Sequence, residues 1–393
     1  MDNVTHTLFA LTLARTRLAR AGRGTTTALV LASNAPDIDF VTLAGGGLNY
    51  LHWHRGPTHG PLGIIGLGLA TASLVVAGRR VFDRRKAEPG ASYAQLALIS
   101  IVGVLLHVLM DIPTSYGTRP FSPIGWHWYA EDWMPIVDIY LLTALGAGLL
   151  FGRGSDAIRR QNVSIVLSLM LVVYGVRGVA HHEALALAPR LFGPTLPAPC
   201  AGAHSRSAPI ARWPQESVAL PAEHRCLVDI AATPNLLFPF RWLVIAQTSN
   251  SYETFDINLL DSRYRQPPND GEALWRRARH YPNPWTPAVF AAAQAPAARL
   301  FLGFSRFPLA RSFADPGGGA TVQWSDLRFA ALSASGGGRP PGRGPGERGQ
   351  PGRPRLGSPT PAGPGNVVSA GDFFAVTVHV NPEGRVTDEV FGR

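Results

Sequence analysis

Apolar runs separated by short arginine clusters fill the first half of the chain. Residues 61–78, "PLGIIGLGLATASLVVAG", carry no charge. Residues 94–110, "AQLALISIVGVLLHVLM", are uncharged when His107 is neutral, residues 134–152 hold only Asp138 as an acidic or basic group, and residues 162–176, "NVSIVLSLMLVVYGV", are again apolar. Each approaches the roughly 20 residues that a helix needs to cross a bilayer. Two shorter apolar stretches precede them, 4–14 ("VTHTLFALTLA") and 25–35 ("TTTALVLASNA"). The pattern predicts an α-helical multi-pass membrane bundle over residues 1–185, with four long spans and two short N-terminal helices.

The pattern changes after residue 185. Residues 186–199, ending in "LFGPTLPAP", read as a linker. Residues 200–393 lack any span and carry strand-like runs: "RWLVIAQT", "SYETFDINLL", "TVQWSDLRFAAL" and "DFFAVTVHV". The last is followed by "NPEG" and "RVTDEVF", a hairpin signature. A small, mostly β domain is expected here. Residues 336–365 are rich in Gly, Pro and Arg, which cannot bury a core, and are expected to form a disordered insertion.

Charged residues make up only 16% of the 393 residues, against about 25% in a typical soluble domain. The net charge of +10 would suit nucleic acid, but many of the arginines sit between apolar runs, as cytoplasmic loops do. No nucleic-acid partner is expected. Arg15, Arg17, Arg20 and Arg23, then Arg79, Arg80, Arg84, Arg85 and Lys86, then Arg153, Arg159 and Arg160 occupy one set of connections. The alternate connections hold Arg55 and Arg119. The basic set is therefore expected in the cytoplasm and the C-terminal domain on the outer side of the membrane. Two cysteines, Cys200 and Cys226, fit one disulfide in an oxidising compartment. No cleavable signal peptide is read at the start, where Asp2 and His6 stand instead of a basic region.

On this topology the metal-competent residues collect at the outer face. His6 starts the first short stretch, and Asp37 and Asp39 end the second. The segment "LHWHRGPTHG" brings His52, His54, Arg55 and His59 to the start of the first span, and Gly56 and Pro57 bend it so that its histidines can converge. His107 and Asp111 close the second span at i,i+4, on one helical face. Asp138 opens the third, and ionisable groups in apolar spans face inward for function. His6, Asp37, Asp39, His54, His59, His107 and Asp111 suffice for one or two divalent ions, with zinc favoured and manganese or iron compatible. Taken singly, Asp37 and Asp39 also fit a turn or helix cap. His181, His182 and Glu183 read as the polar exit of the fourth span, and Trp126, Trp128 and Trp133 as an aromatic belt.

"THT" near the start, "APDID", "HRGPTHG" and "LLHVLMD", in this order, resemble the YdjM-like family of inner-membrane proteins regarded as metal-dependent hydrolases. The resemblance covers about residues 1–185, and "PNLLFPFRW" is similar to the outer segment of longer members. Gly60 departs from the small hydroxyl residue expected there. The family is in turn distantly similar to zinc-dependent phospholipases C and P1-type nucleases, which use a His-x-x-x-Asp helix pair.

The expected function is hydrolysis at the outer face of the membrane, on a phosphoester or lipid-linked substrate, with membrane lipid as partner. The metal would lower the pKa of a bound water to ~7. Arg55 would stabilise developing negative charge and Asp39 or Asp138 would act as base. The alternative is a non-catalytic protein whose structural metal or polar cluster supports an outer domain that meets a partner. A transporter would need polar groups on both faces, and the cytoplasmic halves offer none. Neither a G-x-S-x-G motif nor a P-loop occurs.

Overall fold

The computed structural model describes residues 1–82, 90–152, 154–200, 225–265, 274–328 and 375–392. The expected insertion at 336–365 lies outside the described residues, as do Arg84, Arg85, Lys86 and Arg153.

The N-terminal region is helical. Helices α1 (Asn3–Leu13) and α2 (Thr25–Ala32) are short, and a 3₁₀ helix (Ala35–Gly45) leads to α3 (Gly47–Trp53). Then come α4 (Pro61–Phe82), α5 (Tyr93–Asp111), α6 (Ile139–Phe151), α7 (Asp156–Ala186) and α8 (Ala188–Phe192). Among the described residues, three helical segments are long and apolar enough to cross a membrane: α4, α5, and the one beginning at Ala157 within α7. At 22 residues α4 is about 33 Å long, which matches the ~30 Å hydrocarbon core. The third expected span, 134–152, contains only the 13 helical residues of α6. At 1.5 Å per residue these reach about 20 Å.

Small residues set how closely the helices approach. A Cβ at Gly103 of α5 would fall 2.9 Å from the Ala32 Cβ of α2, so the glycine lets the end of α2 lie against α5. At the opposite end of the bundle, Arg15 donates to the carbonyls of Gly148 and Leu149 at the C-terminus of α6, at 3.1 and 2.9 Å. Arg79 donates there to the carbonyls of Arg23 and Ala91, at 3.1 and 2.8 Å. The described arginines of the basic connections therefore gather at the end away from His6 and Asp111.

The C-terminal region contains two four-stranded antiparallel sheets. The first is β1 (Leu227–Pro234), β2 (Arg241–Thr248), β3 (Ser251–Asn258) and β4 (Arg279–Pro282), in that order. The second is β5 (Pro308–Ala314), β6 (Ala320–Asp326), β7 (Ala375–Val380) and β8 (Val386–Phe391). Three short helices, α9 (Ser262–Arg265), α10 (Pro287–Ala292) and α11 (Pro296–Phe304), accompany them. The strand-like runs at 241–248, 251–258 and 375–380 are strands, and a turn at Gly384 (φ +79°) precedes β8. Cys200 and Cys226 are joined in a disulfide.

One buried cluster runs from the helical region into the second sheet. Leu51, Tyr116 and Trp128 pack with Phe301, Phe304 and Trp324. The C-terminal end of α7, through Ala180 and Ala184, packs on Trp242 and Val244 of the first sheet, and His181 lies against the Trp242 ring. The buried ion pair of Arg306 with Asp132 joins the helical and β regions, and so does Arg177, which pairs with Asp138 and donates to the Asn235 carbonyl at 3.0 Å. Trp128 is wholly buried rather than part of an interfacial belt, because Arg119 stacks on its ring at 4.5 Å and on Trp126 at 5.0 Å.

Candidate metal centre

Each element delivers one to three side chains to a single buried cluster or its surroundings. Asp2 caps α1 by accepting from the Thr5 amide and hydroxyl, at 3.0 and 2.6 Å. This starts the helix so that His6 faces inward with Phe9, Ala10 and Leu13, the i, i+3, i+4, i+7 face. On α5 the buried face runs through Ser100, Val104, His107 and Asp111. The 3₁₀ helix after α2 supplies Asp37 and Asp39, and the segment between α3 and α4 supplies His54, Arg55 and His59. Gly60 holds this last segment against the next loop, since any Cβ there would overlap the Ser122 carbonyl. That collision accounts for glycine where a hydroxyl residue was expected.

Asp111 is the hub. His6 Nε2 lies 3.4 Å from its Oδ1, and His107 Nε2 and His59 Nε2 lie 3.4 and 3.5 Å from its Oδ2. His107 Nε2 is also 3.6 Å from Asp37 Oδ1. The His6 and His107 rings stack with centroids 3.8 Å apart. Two overlapping ligand triads result, His6–His107–Asp111 and Asp37–His59–His107, with the ligand atoms of each within 4.8 Å of one another. The Met1 amino group and the Arg55 guanidinium also lie against Asp111.

The residues fit a metal ion on two counts. Tetrahedral zinc with bonds of 2.0–2.1 Å places its ligand atoms about 3.3 Å apart, close to the 3.4–3.6 Å separations here. Moreover, the Nε2 atoms of His6, His59 and His107, Asp111 Oδ2 and Asp37 Oδ2 are all buried and make no hydrogen bond. Leaving so many lone pairs unsatisfied in a core is costly. Imidazole with carboxylate suits zinc, and also manganese or iron.

The surrounding hydrogen bonds orient the ligands. His107 donates from Nδ1 to the Ser33 carbonyl at 2.7 Å, which leaves the Nε2 lone pair for the cluster. His59 donates from Nδ1 to Thr58 Oγ1 at 3.0 Å, and that hydroxyl donates to Asp39 Oδ2 at 3.4 Å. Burial, reinforced by the positive charge of neighbouring Arg55, holds the His59 pKa well below its ordinary value, so the ring is neutral and able to ligate. Burial likewise raises the Asp37 carboxyl.

Several predicted residues stand one layer out. Asp39 accepts from the Arg55 amide at 2.6 Å and from His54 Nδ1 at 3.3 Å. His54 accepts at Nε2 from the Tyr50 hydroxyl at 3.2 Å, so both its nitrogens have protein partners. Neither residue belongs to a ligand triad among the described residues. Arg55 adopts a left-handed conformation (φ +51°), unusual for a residue with a Cβ. Its Nη1 donates to the Gly117 carbonyl at 2.8 Å and lies 3.3 Å from Asp111 Oδ2, while its Nε is buried without a hydrogen bond.

The structure does not bring Asp138 to the cluster. One of its oxygens caps α6 by accepting from the Tyr140 and Leu141 amides, and the other accepts from Arg177 Nε and Nη2 at 3.0 and 2.7 Å. The expectation of a base there overlooked Arg177, which lies 39 positions away on α7. Sequence reasoning also missed Ser33, Tyr50 and Thr58. Thr58, between Pro57 and His59, was the one legible from its place in the motif.

The comparisons with known proteins bear on this same region. A protein of Bacillus subtilis (strain 168), carried under the name "Uncharacterized protein YfhP", is 29% identical over 142 residues. The alignment covers 36% of this chain and 41% of that protein, so the chain matches less than half of the relative's length. No solved structure is significantly similar. Residues 1–184, which contain every ligand of the cluster, match the family described as "YdjM inner membrane protein", and a membrane location follows from that match together with the three apolar helices.

Proposed function

We propose that this chain is a membrane-embedded, metal-dependent hydrolase of phosphoester or lipid-linked substrates. The observation that carries this reading is the convergence of three imidazole Nε2 atoms with one oxygen each of Asp37 and Asp111, five atoms that are buried and make no hydrogen bond, beside the buried Arg55 Nε, which makes none either. His6, His59, His107, Asp111 and Asp37 would hold the ion or ions. When bound, such an ion supplies Lewis acidity and lowers the pKa of water. Arg55 is held by the hydrogen bonds that its backbone amide donates to Asp39 and its Nη1 to the Gly117 carbonyl, so its Nε is positioned to donate to an anionic oxygen. Asp39 accepts from the Thr58 hydroxyl, which orients His59, and from His54 Nδ1, and would act as the base for a proton passed on by His54.

The cluster lies at the outer face in this reading. Arg15, Arg23 and Arg79 at the opposite end fit the cytoplasmic side, and the Cys200–Cys226 disulfide fits an oxidising compartment. The chain crosses the membrane at least through α4, α5 and α7, with α1, α2 and α6 packed against them.

A structural, non-catalytic cluster is the second reading, favoured by the complete burial of His6, His59, His107 and Asp111. The readings separate in one experiment. Detergent-purified protein is assayed for bound metal and for hydrolysis of bis(p-nitrophenyl) phosphate, with His107→Ala alongside. Metal retained only by the parent, with metal-dependent turnover, supports the hydrolase. Metal without turnover on this and on phospholipid substrates supports the structural cluster. Unchanged metal content in His107→Ala overturns both.

A further inference from the structure

The segment that carries Asp37 and Asp39 has a second face. Ile38, Phe40, Val41 and Leu43 are 55%, 61%, 66% and 42% exposed. Four large apolar side chains within six residues form a patch that water does not favour. Asp39, between two of them, is buried against the cluster. This short helix thus divides ligands from apolar side chains as an interfacial helix divides its two faces.

The patch continues the lipid-facing surface of the spanning helices. His59 lies two residues before α4, whose first turns expose Leu62 and Ile65. His107 lies on α5 between exposed Leu105 and Leu109. Asp37 touches His107, so the Ile38–Leu43 face stands level with these apolar ends. Asp37 is also the most exposed of the five ligands, its side chain 17% accessible against 0% for the other four. The accessible edge of the cluster thus adjoins the patch.

We propose that Ile38, Phe40, Val41 and Leu43 are inserted into the surface of the lipid leaflet, and that the cluster opens there, at Asp37, to ligands that arrive within the membrane. Phe40 meets the Tyr50 ring edge-on at 6.0 Å, and Tyr50 donates to His54, so the inserted face is connected to the residues around Asp39. The proposal rests on the reading above only in taking Asp37 as a ligand.

Both native cysteines are in the disulfide, so a single introduced thiol can be labelled. Phe40→Cys and, separately, Val41→Cys are labelled with an environment-sensitive fluorophore. The full chain is placed in phosphatidylcholine–phosphatidylglycerol nanodiscs, treated with a chelator. Glu383→Cys, in the exposed β7–β8 turn, is the aqueous control. Lipids with a nitroxide high on the acyl chain are expected to quench positions 40 and 41 at least about twofold, and aqueous iodide to quench them far less than position 383. Iodide quenching equal to that at 383 would overturn the proposal, and so would protection from both quenchers, which would mean a protein cover. Because the protein is metal-free, either failure leaves the hydrolase reading standing. Equally, an inactive protein with a lipid-quenched label leaves the insertion standing.

Discussion

His107 donates from Nδ1 to the Ser33 carbonyl oxygen at 2.7 Å, and this bond decides which side of the imidazole faces the cluster. The acceptor is a backbone atom at the end of α2, so the orientation survives any side-chain change at position 33. It depends instead on how closely α2 approaches α5 at Gly103. Gly103→Val is expected to separate the helices and to reduce metal content about as strongly as loss of the ligand, with the protein still in the membrane. Elemental analysis of purified protein, normalised to protein concentration, checks this.

Asp39 lies outside the ligand triads yet holds His54, the Arg55 amide and, through Thr58, His59. Partners of this kind typically contribute 10–100-fold in metal affinity or activity. Asp39→Asn is therefore expected to weaken zinc binding by about 10–100-fold. A competition titration with a chromophoric chelator measures the change, and an affinity equal to the parent's would contradict the assignment.

Asp138 and Arg177 are both buried, and each is the other's charge partner. Removing one leaves an uncompensated charge, which costs about 3–5 kcal/mol. Arg177→Met should lower the melting temperature in detergent markedly, and the double change Asp138→Leu with Arg177→Met should recover part of the loss. Metal content of the surviving folded protein should stay near the parent's, because neither group is a ligand.

The pH dependence follows from buried imidazoles. Burial lowers the pKa of both His54 and His59 in the folded protein. Unfolded, each protonates near its ordinary value of about 6.5. Their contribution is thus complete above that value and is lost as pH falls towards and through the folded pKa. Asp37 acts in the opposite sense, because its raised pKa lets the folded state hold a proton more readily in acid. With two histidines against one carboxylate, metal-free protein should melt at progressively lower temperature from pH 7 to pH 5. His59→Gln should flatten that slope, and a slope unchanged by the substitution would count against this origin.

The Cys200–Cys226 disulfide closes a loop with a sequence separation of 26. Loop-closure entropy for that length corresponds to about 3–4 kcal/mol. Reduction, or the paired change Cys200→Ser with Cys226→Ser, should destabilise the β region, read as earlier loss of near-ultraviolet circular dichroism. Metal content should be unaffected at temperatures below that transition.

Several features were legible in the sequence because they depend on local spacing. The uncharged runs at 61–78 and 94–110 are long helices because they must satisfy their backbone internally and expose apolar side chains. His107 and Asp111 share a face because of helical periodicity, and the bend at Gly56–Pro57 brings His59 back to that face. The strands at 241–248 and 375–380 follow from short runs rich in β-branched and aromatic residues.

What depends on packing was not legible. Nothing in the spacing distinguishes His54 from His59; the Tyr50 hydroxyl and Asp39 do, by occupying both nitrogens of one and leaving Nε2 of the other unpaired. Nor does the sequence around Asp138 point to Arg177 on another helix. The strands at 227–234 and 308–314 have weak alternation of their own and are strands through their neighbours. The sequence by itself determined that the runs at 61–78, 94–110 and 162–176 form long apolar helices and which side chains are available at one end of the bundle, because hydrophobic length and helical period are properties of short segments. Only the tertiary structure decided which of those side chains keep a free lone pair, because a partner can come from anywhere in the chain.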